Sequence, residues 1–313
     1  MWATAAARFW KTIDLVTVTV GPGLEPALWT GVEFAKSLAK KWKKPLVGAN
    51  HLEGHLYSFL LPPADGATGT PTKAKAAAKA GVKPTAAKAT KFSARQIFPA
   101  VALIVSGGHT ILLRMESFSK WRRLGETRDD AVGEAFDKVA RMLDLRYPGG
   151  PEIEKLARRG DGAAIDFPRP MLNSPHGGKK NYDFSFSGLK TAVLYYMRDR
   201  KVSKASGTRS RSRVSDADVA ASFQEAAVDV LATKATRAAR EFGARSILLS
   251  GGVAANKALR ARFHAVSKKI PCRFLVPEFA YNLDNAAMIG AAGYMAHLRK
   301  KKYKIAARGD LMI

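Results

Sequence analysis

Three features are scarce in this sequence: cysteine, acidic residues and long apolar runs. The single cysteine, Cys272, excludes an internal disulfide framework and is typical of proteins from a reducing compartment. No apolar run approaches the roughly 18 residues that a membrane-spanning helix needs, so we expect a cytoplasmic protein that does not span a membrane. The 26 acidic residues stand against 52 Lys and Arg, and the net charge of +26 favours nucleic acid as a partner. Charge alone does not distinguish tRNA from DNA or an anionic membrane.

The length of 313 residues and an apolar fraction of 47% predict a folded protein of two domains or one large domain. Residues 62–96 interrupt this composition, because they consist mostly of Ala, Lys, Thr, Gly and Pro. Such a segment buries too little apolar surface to order itself, so we predict a disordered basic insertion. It either lies along an RNA backbone or is merely a tolerated insertion, and the sequence leaves both readings open.

The N-terminal part of the chain has the pattern of a strand, a helix and a second strand. The β-branched residues 14–20 end at the Gly-Pro-Gly turn of residues 21–23, which predicts a buried strand. Apolar residues at helical spacing follow over residues 28–42, and residues 45–49 form a second apolar run. This βαβ unit places His51 just beyond a strand, where open α/β sheets bind their ligands.

Two histidines four residues apart, His51 and His55, follow this second strand. At ~100° per helical residue they lie about 40° apart on one helix face, so they can bind one metal ion. Glu53 lies midway, about 200° from either histidine and therefore on the opposite face. A zinc protease would place its glutamate next to the first histidine, so this class is disfavoured. The alternative is two ordinary histidines at a helix start.

Two strands each run into a Ser-Gly-Gly turn, at residues 106–108 and 250–252. Glycines without Cβ atoms allow backbone N–H groups to approach a phosphate or a carboxylate, and a helix N-terminus after such a turn also attracts anions. One such turn is weak evidence. Two of them, about 145 residues apart, indicate related halves that face a nucleotide, as in actin-like and sugar-kinase-like proteins.

An acidic segment between these turns leads into a predicted amphipathic helix. Asp129 and Asp130 precede the helix, and such residues are commonly complements of the helix dipole. Asp137 differs, because it shares the helix with the apolar Phe136 and is followed by the Tyr-Pro-Gly-Gly-Pro turn of residues 147–151. This rigid turn can hold the backbone against a flat ligand such as a base or a ribose.

Six stretches match one known family in the same order. They are NHLEGH, LIVSGGHT, DDAVGEAFDKVARMLDLRYPGGP, FSFSGLKTA, SGGVAANKALR and NLDNAAMIGAAG. The sequence resembles the TsaD family of tRNA threonylcarbamoyladenosine synthases. The match covers most of residues 14–62 and 97–296. The His-x-Glu-Gly-His form is similar to the bacterial and organellar branch of the family.

The resemblance implies an actin-like, sugar-kinase-like (ribonuclease-H-like) α/β fold. We therefore expect a duplicated two-domain fold with the active site in the interdomain cleft. Residues 1–61 and 285–313 would form the N-terminal half and residues 97–284 the C-terminal half, with the basic insertion at residues 62–96 between them. Family members begin with a further strand and an acidic turn, so we expect an N-terminally truncated chain that lacks one phosphate-binding turn.

The same resemblance implies a reaction and partners. The enzyme would transfer a threonylcarbamoyl group from threonylcarbamoyl-adenylate to the N6 amine of adenosine 37, releasing AMP. Its substrates would be tRNAs that read codons beginning with adenine, and TsaB-like and TsaE-like proteins would be its partners. The alternative is an inactive or regulatory nucleotide-binding paralogue of the same fold.

Site residues also follow from the resemblance, by position in the matching motifs. His51, His55 and Asp284 would hold one divalent metal ion, Fe²⁺ or else Zn²⁺, which can act as a Lewis acid. The residues expected to contact the acyl-adenylate are Ile104, Val105, Ser106, Gly107 and Gly108. Those expected to bind its adenosine part are Asp137, Gly150, Glu154 and Asn256. No residue stands out as a general base; positioning of an already activated donor can suffice for the transfer.

Overall fold

A computed structural model describes residues 12–62, 93–172, 181–205 and 214–313. The chain divides into two compact units, the first comprising Met1–Lys91 with Pro277–Ile313 and the second comprising Phe92–Val276. The expected division places residues 277–284 in the second half, whereas they belong to the first unit. Most of the predicted disordered insertion, residues 63–92, lies outside the described residues, so its disorder stays a prediction. Its last residues begin a short helix, in which Ser93 and Gln96 form a capping box.

In chain order, the helices and strands are β1 (Val16–Gly21), α1 (Glu25–Trp42), β2 (Leu46–Asn50), α2 (His51–Tyr57), α3 (Ala94–Ile97), β3 (Ala100–Val105), β4 (Thr110–Met115), β5 (Trp121–Glu126), α4 (Val132–Met142), α5 (Gly149–Ala157), α6 (Ser187–Ala205), α7 (Asp216–Glu241), β6 (Ser246–Ser250), α8 (Lys257–Ser267), β7 (Arg273–Leu275) and α9 (Ala286–Leu298). Among these helices, none is both long enough and apolar enough to cross a membrane.

The first unit is built on the parallel pair β1 and β2, in which Val16 is opposite Leu46. The predicted βαβ unit is therefore confirmed. Helix α1 buries an apolar stripe against this pair, while α9 packs on it so closely that a Cβ atom at Gly293 would lie 2.1 Å from Thr17 Cγ2. Because β2 ends at Asn50, helix α2 begins directly at the carboxyl end of a strand.

The second unit contains a mixed sheet in the order β5-β4-β3-β6-β7. Strand β4 pairs antiparallel with β3 and β5, and β6 pairs parallel with β3 and β7. Every residue of β3 and β6 is buried, as expected for strands covered on both faces; β3 is apolar throughout, and β6 has a serine at each end. Ile104 is opposite Ser250, so the two Ser-Gly-Gly turns leave the sheet at the same edge.

Helices α4 and α7 supply much of the core of the second unit. The ring of Phe136 on α4 packs edge-on against that of Phe223 on α7, with centroids 4.9 Å apart. Burial of such aromatic pairs contributes apolar area and a further ~0.5–1.5 kcal/mol from ring geometry. This packing fixes α4 relative to α7.

Candidate functional site

Asn50 sets the start of α2 and thereby the position of the predicted histidine pair. Its side chain is buried, and Oδ1 accepts hydrogen bonds from the backbone N–H of Leu52 (2.8 Å) and Glu53 (3.2 Å). Its Nδ2 donates to the carbonyl oxygen of Met312 (3.2 Å). An N-cap of this kind satisfies donors that the first helical turn leaves unpaired. The strand therefore turns into a helix with His51 as its first residue.

The three predicted metal ligands lie together in the first unit. His51 Nε2 is 3.4 Å from Asp284 Oδ1, and His55 Nε2 is 3.2 Å from the same oxygen. The ligand atoms of the three residues all lie within 4.8 Å of one another. Asp284 reaches this position because it immediately precedes Asn285, the N-cap of α9.

The chemistry of this cluster fits a divalent metal ion. The side chain of His55 is 1% exposed, and neither of its ring nitrogens makes a hydrogen bond with the described residues. Contacts with His51, the larger effect, and with His55 hold the pKa of the Asp284 carboxyl well below its ordinary value. The carboxylate is therefore ionised at neutral pH. Buried polar atoms need partners, and two imidazoles with one carboxylate are a donor set that Fe²⁺ and Zn²⁺ accept.

Glu53 is outside this cluster. It is fully buried, and its carboxylate accepts hydrogen bonds from Arg299 (2.8 Å), Lys301 (2.9 Å) and the hydroxyl of Tyr303 (2.9 Å). This agrees with the helical spacing, which predicts Glu53 on the face of α2 opposite the histidines. The carboxylate is committed to these partners and is not placed as the base of a protease.

In the second unit, the turn after β3 has backbone groups that are exposed to solvent. Ser106 N–H donates to the carbonyl oxygen of His109 (2.8 Å), and His109 N–H donates to Ser106 Oγ (3.1 Å). Gly107 and Gly108 are exposed, and a Cβ atom on either would meet nothing within 4 Å. Open space over two glycines leaves their backbone accessible to a ligand.

Ile104 and Val105 differ from the glycines in their placement. Both side chains are fully buried in β3, so these residues position the turn and do not offer side chains to a ligand. Val105 also fixes the second turn, because a Cβ atom on Gly251 would lie 2.3 Å from its carbonyl oxygen. Gly251 has a φ of +92°, a backbone conformation that residues with side chains rarely adopt. Only glycine therefore allows the two turns to lie side by side.

The residues predicted to bind the adenosine part are linked by hydrogen bonds. Asp137 Oδ1 accepts from the N–H of Gly149 (2.7 Å), the first residue of α5, and this bond holds the start of α5 against α4. Gly150 follows, and the space where its Cβ would be is open. One turn later Glu154 Oε2 accepts from the N–H of Lys257 (3.3 Å), the first residue of α8.

Asn256 completes this group; it follows the second Ser-Gly-Gly turn, at the end of β6. It is the N-cap of α8, and its Oδ1 accepts from the N–H of Leu259 (2.9 Å) while its Nδ2 donates to Gln224 (2.8 Å). The predicted contact residues of the acyl-adenylate and of its adenosine part thus converge at the carboxyl edge of the second unit's sheet. The predicted metal ligands are all in the first unit.

Asp129 and Asp130 do more than complement a helix dipole. Asp129 accepts a hydrogen bond from Ser185 Oγ (2.6 Å), and Asp130 bridges Lys138 (2.8 Å) and Lys190 (2.7 Å). Burial raises the pKa of Asp130, but the bonds from the two lysines outweigh it and the net shift is downward. These contacts tie the segment before α6 to α4. Helical spacing gives no sign of them, because the partners are distant in sequence.

Lys234 is a buried charged residue that the sequence does not indicate. It is fully buried on α7, and its Nζ donates to the carbonyl oxygens of Asn181 (3.2 Å) and Asp183. Burial lowers the pKa of Lys234 to about 8. A lysine on a long helix normally indicates a solvated face, so nothing in the pattern marks this one as buried.

The family model that matches this chain is TsaD, tRNA N6-adenosine threonylcarbamoyltransferase. The match covers residues 4–75 and 80–291. Named relatives agree with it. A tRNA N6-adenosine threonylcarbamoyltransferase of Moorella thermoacetica is 46% identical over 300 residues, which are 95% of this chain and 75% of the relative. One of Fervidobacterium nodosum is 44% identical over 90% of this chain and 72% of the relative.

Solved structures of HypF resemble the fold of this chain. A crystal structure of HypF from T. kodakarensis matches 96% of this chain with a TM-score of 0.61 and 15% identity. A full-length HypF in a phosphate- and nucleotide-bound form matches 98% with a TM-score of 0.59 and 12% identity. This chain spans only 43% and 50% of those chains, and at such identities the likeness concerns the fold alone. It confirms the predicted actin-like α/β fold.

Proposed function

Because this chain belongs to the TsaD family of tRNA N6-adenosine threonylcarbamoyltransferases, we propose that it transfers a threonylcarbamoyl group to the N6 amine of an adenosine in tRNA. The observation that carries the proposal is the extent of the family match. It covers residues 4–75 and 80–291, which include every site residue that the sequence predicts, in both units. The donor we propose is threonylcarbamoyl-adenylate, and the acceptor is adenosine 37 of tRNAs that read codons beginning with adenine.

The proposed reaction is an acyl transfer. A bond forms between N6 and the carbamoyl carbon, the bond from that carbon to the phosphate oxygen breaks, and AMP leaves with the electron pair while the amine proton passes to solvent. The donor is already activated, so holding it against the amine can supply much of the rate. This agrees with the lack of an evident general base among the predicted site residues.

We assign the metal site to His51, His55 and Asp284, with Fe²⁺ or Zn²⁺ as the ion. The assignment is supported by their short separations and by buried His55, whose ring nitrogens make no hydrogen bond with the described residues although Nε2 lies 3.2 Å from Asp284 Oδ1. When bound, such an ion supplies Lewis-acid polarisation of an acyl oxygen. The chain's own contribution is to keep the carboxylate of Asp284 ionised and the two imidazoles on one face of α2.

We assign the donor site to the carboxyl edge of the second unit's sheet. The exposed backbone at Gly107 and Gly108 suits a phosphate, because N–H groups without neighbouring side chains can approach its oxygens. Asp137 uses Oδ1 to hold Gly149 and has Oδ2 available for a ribose hydroxyl. The open space at Gly150 suits a flat group lying on the backbone.

Partners are proposed on two observations. The net charge of +26 favours a tRNA substrate through counterion release. Helix α1 and the residue before it expose large apolar side chains, with Leu24 75%, Trp29 42% and Phe34 68% exposed. Such side chains suit a protein contact, and the family resemblance suggests TsaB-like and TsaE-like proteins. The alternative of an inactive or regulatory paralogue has no support among the relatives, which carry the transferase name.

Reconstitution tests the proposed function. The purified chain is incubated with synthetic threonylcarbamoyl-adenylate, a tRNA transcript and Fe²⁺ or Zn²⁺, with and without bacterial TsaB-like and TsaE-like proteins. Digested nucleosides are then analysed by mass spectrometry for threonylcarbamoyladenosine. A transcript with guanosine at position 37 serves as the control and should stay unmodified. Absence of the modified nucleoside in every combination would overturn the proposal.

A further inference from the structure

The face of α2 opposite the histidines carries an ionic cluster around the buried Glu53, formed with Arg299, Lys301 and Tyr303; the side chain of Lys301 is 42% exposed. The carboxylate of Glu53 is fully buried, and a buried charge is costly unless it is paired and hydrogen-bonded. Both of its oxygens are paired, at distances of 2.8–2.9 Å. Arg299 also lies over the ring of Tyr57, the last residue of α2, at 5.7 Å from its centroid. The cluster therefore contacts α2 at its middle and at its end.

One helix connects this cluster to the proposed metal site. Asp284 directly precedes Asn285, the N-cap of α9, and Arg299 is the C-cap of the same helix. Lys301 and Tyr303 follow within four residues of Arg299, beyond the end of the helix. The third proposed ligand thus lies just before α9, and the partners of Glu53 lie at or just beyond the other end of this helix. The position of α2 on α9 sets the distances from the histidines to Asp284.

Helices α2 and α9 touch directly at Gly54. A Cβ atom on Gly54 would lie 3.1 Å from Ile289 Cδ1 and 3.2 Å from Met288 Cγ. This contact sets how closely the helices approach, but a residue without a side chain does little to prevent α2 from turning about its own axis. The neighbouring Glu53 has the long, bonded side chain that can prevent it.

A small rotation of α2 would matter to a metal site. Side chains extend about 5–6 Å from a helix axis, so a rotation of about 20° would move a ring nitrogen by about 2 Å. Metal–ligand distances tolerate about 0.2 Å. Orientation of α2 is therefore a requirement for binding, separate from the presence of the ligands.

We infer that Glu53 is a positioning residue, which fixes the rotation of α2 on α9 so that His51 and His55 are directed at the same point as Asp284. The inference rests on the metal site of the proposed function. It assigns the glutamate of the His-x-Glu-Gly-His motif a task away from the reacting groups. A merely structural ion cluster would affect the stability of the first unit and leave the metal affinity of the folded protein unchanged.

The test measures metal affinity in Glu53→Gln. This change keeps the shape of the side chain and removes its charge. Affinity for Co²⁺ alone, used as a spectroscopic probe, is measured by competition with a chelator, and circular dichroism confirms that the protein is folded at the temperature used. His55→Ala defines binding elsewhere on the chain. We expect an affinity at least about tenfold lower than that of the wild type, as for other residues that orient metal ligands.

The matched control is Glu33→Gln. Glu33 is an exposed glutamate of the same unit, on α1, with a single ion pair to Lys36. Its loss should leave the Co²⁺ affinity unchanged. A folded Glu53→Gln protein with wild-type affinity would overturn the inference while leaving the metal site intact. A wild-type chain that binds no Co²⁺ would instead overturn the proposed metal site itself, and the inference with it.

A second variant applies if Glu53→Gln does not fold. Tyr303→Phe removes one of the hydrogen bonds to Glu53 and keeps the ring in place, so the charge of the carboxylate stays paired with Arg299 and Lys301. We expect a smaller loss of Co²⁺ affinity, about two- to fivefold, because one bond of the cluster is lost. Wild-type affinity in this folded variant would contradict the inference.

Discussion

The two units hold their candidate sites by different physical means. In the first unit the proposed ligands are side chains: His51 and His55 lie on α2, and Asp284 lies just before the N-cap of α9. In the second unit the candidate site is backbone: Gly107 lies in an exposed turn, and the neighbouring turn at Gly251 is so close to Val105 that a Cβ atom there would clash with its carbonyl oxygen. A side-chain site fails when a ligand or its orientation is lost, whereas a backbone site fails when a Cβ atom is added. The two units should therefore respond to opposite kinds of substitution.

The largest effect should come from His55→Ala in the first unit. It removes a proposed ligand whose ring nitrogens have no other hydrogen bond among the described residues. We expect metal affinity to fall at least about 100-fold, and transfer activity to fall with it. Metal content is measured by elemental analysis after dialysis, and circular dichroism checks the fold.

A matched control is available on α9. His297→Ala removes an exposed histidine of the same unit and should leave the metal content unchanged. Equal metal content in the wild type and in His55→Ala would refute the ligand assignment.

Gly251→Ala should produce the next largest effect, and in the second unit. The new Cβ atom would lie 2.3 Å from the carbonyl oxygen of Val105, and alanine is strained at a φ of +92°. Overpacking and backbone strain together should lower the free energy of unfolding by about 2–4 kcal/mol. Urea denaturation measures this change. A loss below about 0.5 kcal/mol, the range of ordinary surface substitutions, would show that the turn relaxes freely and would contradict the prediction.

Much of the local architecture could be predicted from the sequence, because it follows from periodicity. The spacing of His51, Glu53 and His55 predicts which of them share a helix face, and the βαβ unit and the two strand–turn elements follow from apolar runs ended by glycines. Each of these inferences needs only residues that are near one another in the chain. The structure agrees with all of them.

Long-range pairing could not be predicted in the same way. The partners of Glu53 lie 246–250 residues away, and no spacing rule connects them. Only a family motif identifies Asp284 as a ligand, and a domain boundary drawn after this residue misses its place in the first unit. Buried Lys234 has the pattern of a solvated face. In each case the deciding contact comes from a segment that the local pattern does not contain.

Buried charges offer another comparison between the units, since Glu53 has cationic partners and Lys234 bonds to backbone carbonyls. Burial lowers the pKa of Lys234 to about 8 from its ordinary value of 10.5. Between these values the unfolded chain holds the proton that the folded chain has released, so stability rises with pH. From pH 8 to pH 10, we expect the free energy of unfolding of the wild type to rise by roughly 1–2 kcal/mol relative to that of Lys234→Met. Urea denaturation at several pH values measures it, and parallel curves for the two proteins would contradict the shift.

Gly107→Ala should have the smallest effect on stability and completes the comparison with Gly251→Ala. A Cβ atom on Gly107 meets nothing within 4 Å, so the free energy of unfolding should change by no more than about 0.5 kcal/mol. The same atom would occupy the space where we place the donor phosphate. Affinity for AMP, measured by calorimetry, should therefore fall roughly tenfold, about the cost of one hydrogen bond to a charged group. Because we expect Gly251→Ala to perturb the fold and Gly107→Ala to leave it intact, unchanged AMP affinity in folded Gly107→Ala would remove this turn from the donor site.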